Sequence, residues 1–265
     1  MLPFILLGIL QGLTEFLPIS SSGHLALAEQ LLGVRTPGIV FEIFVHFGTL
    51  LSVVWVFRER ILRIVLAPVG GGTELRLLGI LIVGSIPTGV LGLALDSVAE
   101  AAFVRSWAVG LGLLITAGVL TLVERRDSIQ AKSLDQLSWR DALWIGLAQG
   151  IAVLPGISRS GSTIAMGLLC GLRRQDAAEF SFLLFIPAIL GATLLKLAEA
   201  LSEPTVHSAL WGGYLAGTAV ALLSGVIAIR FLMKYLRERS LTPFAIYCAL
   251  LGLLAVLWSI ARSNA

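Results

Sequence analysis

The chain is 265 residues long, 57% hydrophobic and only 13% charged, with a mean hydropathy of +0.94 and a formal net charge of +3 at pH 7. A water-soluble domain carries roughly a quarter charged residues. The balance therefore excludes a soluble globular protein, gives no sign of a nucleic-acid partner, and asks for the length to be counted in membrane spans.

The N-terminal "MLPFILLGIL" has no basic stretch before it and no small-residue cleavage site after it. It is expected to belong to the mature fold rather than to a signal peptide. It opens an apolar stretch over about 1–34 that "LPISSSG" interrupts near the middle. Proline and glycine there break a helix and free backbone amides, which survive in lipid only against protein or a water-filled cavity. A re-entrant helix–turn–helix hairpin is predicted. An apolar run over about 38–57 is long enough to cross roughly 30 Å of hydrocarbon, and a basic loop, "RERILRIVLAPVGGGTELR", follows it. Runs over 75–96 and 104–123 predict two more spans, joined by the less basic "DSVAEAAFVR".

A polar loop over about 125–138 leads to a second interrupted stretch, 139–172, broken by "LPGISRSGS" and read as a second hairpin. Spans over 177–198, 208–232 and 243–261 complete the chain. The predicted fold is an all-α polytopic membrane protein with six transmembrane helices and two re-entrant hairpins. It forms one membrane domain, with repeat halves at about 1–124 and 139–265. Threaded this way, fourteen Lys and Arg residues collect on one face, from Arg58 to Arg239, against four on the other: Arg35, Arg105, Lys196 and Arg262. The bias makes the first face cytoplasmic and places both termini outside. Trp139, Trp144 and Trp211 read as interface anchors. The two cysteines, Cys170 and Cys248, lie in separate apolar segments without metal-type spacing, which argues against a disulfide framework.

The interrupted stretches match. "QGLTEFLPISSSG" from Gln11 and "QGIAVLPGISRSG" from Gln149 both fit Q-G-x6-I-S-x-S-G. Three spans follow each copy, so the second enters from the opposite face. This is an inverted repeat, the build of transporters whose broken helices meet near the midplane.

Ionisable groups in the bilayer are costly and point to function. The first hairpin holds Glu15 and His24, the second Arg159, with nothing acidic near Arg159 in its own hairpin. Gly156, Ser158, Ser160, Ser162 and Thr163 surround the arginine. A glycine-containing turn opening onto a helix N-terminus presents amides and a favourable dipole to an anion, and arginine adds a planar fork suited to phosphate. In the first hairpin Gln11 and Glu15 share one helix face. Glu15 suits a general base or metal ligand, His24 exchanges protons near neutral pH, and Ser20, Ser21 and Ser22 offer hydroxyls. The set points to hydrolysis of a phosphoanhydride, with a divalent cation offsetting charge. Serine and glycine also serve helix packing in membranes. Glu42 and His46 either extend the site or cap a polar cavity, Glu179 reads as an interfacial carboxylate, and His207 as a solvated outer-loop residue.

The chain resembles the undecaprenyl pyrophosphate phosphatases, the integral-membrane family associated with bacitracin resistance. The resemblance rests on Gln11-Gly-Leu-Thr-Glu15, which fits (E/Q)-x-x-x-E, on the "FLPISSSGHL" after it, and on the run Pro155-Gly156-Ile157-Ser158-Arg159-Ser160-Gly161-Ser162-Thr163. It covers essentially the whole chain. It implies hydrolysis of a C55 isoprenyl pyrophosphate to the monophosphate and inorganic phosphate, which recycles the lipid carrier of cell-wall synthesis at the bacterial plasma membrane. It also implies Glu15, His24 and Arg159 as core catalytic residues and Ser21 as nucleophile. Gln11, Ser20, Ser22, Gly156, Ser158, Ser160 and Thr163 are then expected around the phosphates. Mg²⁺ or Ca²⁺ is the implied cofactor, with Glu15 as its ligand, and Gln11 stands where many relatives carry a second glutamate. A serine-phosphate intermediate and direct water attack both stay open, as does the acid–base assignment of Glu15 and His24. A homodimer is among the assemblies left open. The other reading is a polyprenyl-phosphate flippase or secondary transporter, which an inverted repeat also suits. That reading leaves base, acid and nucleophile without a task.

Overall fold

The computed structural model describes residues 1–32, 39–125, 132–202 and 211–263; His207, Arg35 and Arg126 lie outside them. Two pairs of short helices stand where the broken stretches were read. The first is α1 (Leu2–Phe16) and α2 (Ser21–Leu32), and the second is α7 (Trp139–Ile151) and α8 (Arg159–Leu169). At 1.5 Å per residue none exceeds about 23 Å, short of the roughly 30 Å a span needs. Leu7 of α1 and Leu25 of α2 share one buried cluster with Phe41, Val45, Tyr214 and Ala221, so α2 returns alongside α1. The second hairpin is strapped at its mouth. The Lys132 amide donates to the Gly171 carbonyl at 2.7 Å, and the Arg173 amide donates to the Lys132 carbonyl at 3.0 Å. The chain enters and leaves on the same face.

Among the described residues, five helices are long and apolar enough to cross a membrane: α5 (Thr73–Phe103), α6 (Ser106–Glu124), α9 (Arg174–Ser202), α10 (Trp211–Tyr235) and α11 (Thr242–Ser263). A sixth crossing begins as α3 (Ile39–Val56), which an 83° bend joins to α4 (Arg58–Gly70). The sequence reading is corrected at two places: α5 runs on to Phe103 through most of the connection read at "DSVAEAAFVR", and α4 lies where a loop was read. The segment after the first span is a helix, not a loop. Its apolar residues fall at helical spacing, with Ile64 and Ala67 buried and Leu62, Val65, Leu66 and Val69 exposed. Arg60 fastens it to the bundle through Glu74 at 2.8 Å and Glu179 at 3.3 Å. Glu179, read from the sequence as an interfacial carboxylate, is the partner of Arg60 here. Trp139, Trp144 and Trp211 are each exposed, as lipid-interface anchors should be.

Each hairpin packs on helices of the other half. Helix α1 lies on α10, and α7 lies on α5. Glycines at matching repeat positions make both contacts possible, because in lipid helices associate by close backbone approach. A Cβ on Gly8 would sit 2.5 Å from the Gly217 carbonyl, and one on Gly146 would sit 2.0 Å from the Gly84 carbonyl. Similar exchange holds the two turns. Thr116 of α6 donates to the Gly156 carbonyl at 3.0 Å, and Cys248 of α11 places its thiol 3.6 Å from the Pro18 carbonyl. The hairpins are thus clamped against each other by the spans around them.

Gly146→Ala should lower stability by about 1–3 kcal/mol through overpacking, seen as a reduced melting temperature in detergent. Gly118→Ala on exposed α6, where a Cβ meets nothing within 4 Å, should leave melting unchanged.

Candidate active site

Both turns end in the same N-cap. The Ser20 hydroxyl accepts from the Gly23 amide at 3.2 Å, and the Ser158 hydroxyl accepts from the Gly161 amide at 3.0 Å. Each capping hydroxyl also meets the serine two residues on, Ser22 at 3.3 Å and Ser160 at 3.2 Å. These bonds satisfy one first-turn amide per helix, while helix geometry leaves others without an intrahelical partner and a partial positive charge at each N-terminus. Ser20 adopts φ 68°, a left-handed conformation that side chains rarely take, and Gly156 adopts φ 85°. Only glycine fits at 156, since a Cβ there would lie 2.1 Å from the Val109 carbonyl of α6. The tips touch directly: the Ser160 hydroxyl donates to the Leu17 carbonyl at 2.9 Å.

The ionised groups meet at this junction. Arg159 Nη2 lies 2.8 Å from Glu15 Oε1, with the two side chains 14% and 7% exposed. Glu15 Oε2 accepts from Gln11 Nε2 at 2.8 Å and from the Ser21 hydroxyl. The guanidinium sits 4.1 Å over the Phe185 ring, a favourable desolvated cation–π contact. Arg159 Nη1 is buried without a hydrogen-bond partner, and so is Gln11 Oε1. Buried polar atoms in native structures are nearly always satisfied, so an unsatisfied pair beside a buried charge asks for a ligand.

The structure thus draws Gln11, Glu15, Ser21 and Arg159 into one hydrogen-bonded set. The carboxylate facing Arg159, not visible within its own hairpin, comes from the other. His24 stands one turn after Ser21 and bonds elsewhere, to the Ser20 carbonyl and to the Tyr247 hydroxyl, each at 2.7 Å. Ser20, Ser22, Ser158, Ser160 and Gly156 build the turns. Thr163 donates back to the Arg159 carbonyl at 2.9 Å and meets Ser181 at 2.5 Å. Of the open pair, His46 donates to the Glu42 carbonyl at 2.8 Å and lies within electrostatic reach of Glu15. Glu179 pairs with Arg60, apart from this set.

Sequence reasoning missed Phe185, Tyr247 and Thr116. Phe185 carries no signal in an apolar span. Thr116 and Tyr247 are lone polar side chains within such spans, which is a weak one. Among the described residues no three His, Cys, Asp or Glu side chains converge as a metal cluster. The hard oxygens of Glu15 and of the unsatisfied Gln11 amide do fit a divalent cation that takes its other ligands from phosphate and water.

The fold and site together define a multi-pass membrane protein of inverted-repeat build, whose two half-helix hairpins carry a buried carboxylate–guanidinium centre. Its sequence matches the family described as "Bacitracin resistance protein BacA" over residues 4–254, and the chain belongs to that family. Similar proteins include one from Halothermothrix orenii, 44% identical over 254 residues and 96% of both chains. Another, from Carboxydothermus hydrogenoformans, is 42% identical over 252 residues, 94% of this chain and 93% of its own. A third, from Methanosphaera stadtmanae, is 39% identical over 273 residues and 97% of both chains. Each is named undecaprenyl-diphosphatase.

Thr116 also accepts from the Ser158 amide at 2.9 Å. Thr116→Val should therefore leave a buried amide and a buried carbonyl unsatisfied and cost about 1–3 kcal/mol. Thermal denaturation in detergent checks this; Cys248→Ala at the matching contact should cost less, because a thiol is a weak donor.

Proposed function

We propose that this protein is an undecaprenyl-diphosphate phosphatase, cleaving the phosphoanhydride of a C55 isoprenyl pyrophosphate to give the monophosphate and inorganic phosphate. The observation that carries the reading is one buried carboxylate, Glu15, bonded at once to a serine hydroxyl and to an arginine with a spare donor. A hydroxyl within hydrogen-bond reach of a base is an activated nucleophile, and a guanidinium with an unsatisfied N–H is a seat for phosphate oxygen.

In this reading Arg159 Nη1 and the first-turn amides of α2 and α8 hold the terminal phosphate. Glu15 takes the Ser21 proton as the Ser21 oxygen attacks the terminal phosphorus. The bond to the bridging oxygen breaks, and the departing lipid monophosphate takes up the proton from Glu15, which regenerates the carboxylate. Water, deprotonated by that carboxylate, then attacks the serine phosphate; the Ser21 oxygen leaves, takes the proton back from Glu15, and inorganic phosphate is freed. Arg159 and the helix dipoles stabilise the charge spread over the equatorial oxygens in both steps. Ser20, Ser22, Ser158, Ser160, Gly156 and Thr163 act by holding the two turns in register, and His24 exchanges protons beside Ser21. A divalent cation, Mg²⁺ or Ca²⁺, held by Glu15 and Gln11 would neutralise pyrophosphate charge when bound.

The whole chain serves as one membrane domain, its halves at about 1–124 and 139–265 contributing one hairpin each to a single site. The excess of Lys and Arg on one face supports a plasma-membrane orientation with both termini outside. Lipid transport by the same inverted repeat would use Arg159 but has no need of the Glu15–Ser21 pair.

Phosphate release from C55 isoprenyl pyrophosphate by the detergent-purified protein tests the reading. Ser21→Ala, Glu15→Gln and Arg159→Lys should each lower turnover by about 100-fold or more. EDTA should suppress release, and added Mg²⁺ or Ca²⁺ should restore it. Full activity in Arg159→Lys would remove the clamp, and full activity in Ser21→Ala would shift the attack to water.

A further inference from the structure

The His24 ring is held at both ends, and only one hold comes from its own hairpin. Nδ1 lies 2.7 Å from the Ser20 carbonyl oxygen. A carbonyl only accepts, so Nδ1 carries the proton, and in the neutral ring Nε2 is left as the basic nitrogen. Nε2 lies 2.7 Å from the Tyr247 hydroxyl, which then donates to it. The two rings are parallel to within 2°, with centroids 5.6 Å apart. Tyr247 belongs to α11, at the far end of the chain. Its neighbour Cys248 reaches the Pro18 carbonyl in the same turn. One stretch of α11 therefore grips both the backbone of the first turn and the histidine that follows it.

We infer that Tyr247 is a positioning residue for the hydrolysis: with the Nδ1–H tautomer of His24 set by the Ser20 carbonyl, it fixes the rotation of the ring and so the direction of Nε2. The inference rests on the hydrolase reading above. A free imidazole beside Ser21 has two tautomers and two ring flips, and the alternatives turn a C–H, or the wrong nitrogen, to the place where protons are exchanged. The Ser20 carbonyl alone lets the ring rock about one bond. A second bond at the opposite nitrogen, from a separate helix, removes that freedom. This is the orienting role that the third member of a nucleophile–base–orienter set performs. A water or phosphate oxygen that replaces the Tyr247 hydroxyl at Nε2 during turnover then finds the ring already turned.

Tyr247→Phe keeps the ring and removes only the hydroxyl. With C55 isoprenyl pyrophosphate as substrate, kcat should fall about tenfold, part of the range a proton-transfer residue supplies, with KM and melting temperature unchanged. The second readout is ¹⁵N spectroscopy of histidine-labelled protein. The chain has three histidines, and the His24 signals are those lost in His24→Gln. The unsubstituted protein should show the Nδ1–H tautomer at His24 with its Nε2 resonance shifted by the bond it accepts, and Tyr247→Phe should keep that tautomer and move the Nε2 resonance. Unchanged kcat would overturn the inference, as would a lower melting temperature with the His24 Nε2 resonance unmoved. If the unsubstituted protein releases no phosphate, the hydrolase reading itself falls and takes the positioning role with it.

Discussion

The structure depends on one buried ion pair, Arg159 with Glu15, made by residues 144 positions apart. Removing two charges from water costs several kcal/mol per ion, and mutual attraction offsets that only where hydrogen bonds complete both partners. Glu15 is completed by Gln11 and Ser21. Arg159 is not: it has an aromatic face beneath it and one unsatisfied nitrogen. The asymmetry separates this pair from a structural salt bridge. A fully satisfied pair would hold the fold and bind nothing, whereas this one keeps a strong donor in reserve.

Bringing the pair together dictates much of the architecture. Each partner rides on a short helix, Glu15 near the end of α1 and Arg159 at the start of α8, so the pair sits where the two hairpin turns meet. A helix end in lipid exposes unsatisfied amides and carbonyls. Serine caps, the touching tips and the side chains of α6 and α11 absorb most of these groups. Close approach of the hairpins to the spans behind them requires backbone-to-backbone contact, and this is why Gly8 and Gly146 occupy equivalent positions. The inverted repeat is thus a way to deliver two helix N-termini to one point from opposite faces. At a matching position the copies differ: Ser21 in the first stands where Arg159 stands in the second.

Much of this was legible in the chain. Both hairpins, the six crossings and the residues at the junction follow from apolar run length, proline and glycine placement, and the Q-G-x6-I-S-x-S-G match. The helix after the first span was misread, because "RERILRIVLAPVG" carries enough arginine and enough Pro and Gly nearby to look like a loop. Its helical periodicity has meaning only at a membrane surface, where one face is apolar and the other wet. Phe185, Thr116 and Tyr247 were not singled out, since an aromatic or a hydroxyl in an apolar span is ordinary until something is seen against it.

The chain by itself singled out Glu15, His24 and Arg159 as ionisable groups set inside apolar stretches. Burial in lipid is so costly for Glu, His and Arg that their presence in apolar sequence is informative without coordinates. Only the tertiary structure decided partnership. That Arg159 faces Glu15 and that His24 turns toward Tyr247 depend on where segments more than a hundred residues apart come to rest, and that Ser21 rather than Ser20 or Ser22 bonds to the carboxylate depends on the conformation of the first turn. Hydrogen bonds act over about 3 Å and in one direction, whereas sequence periodicity locates a side chain only to a helix face.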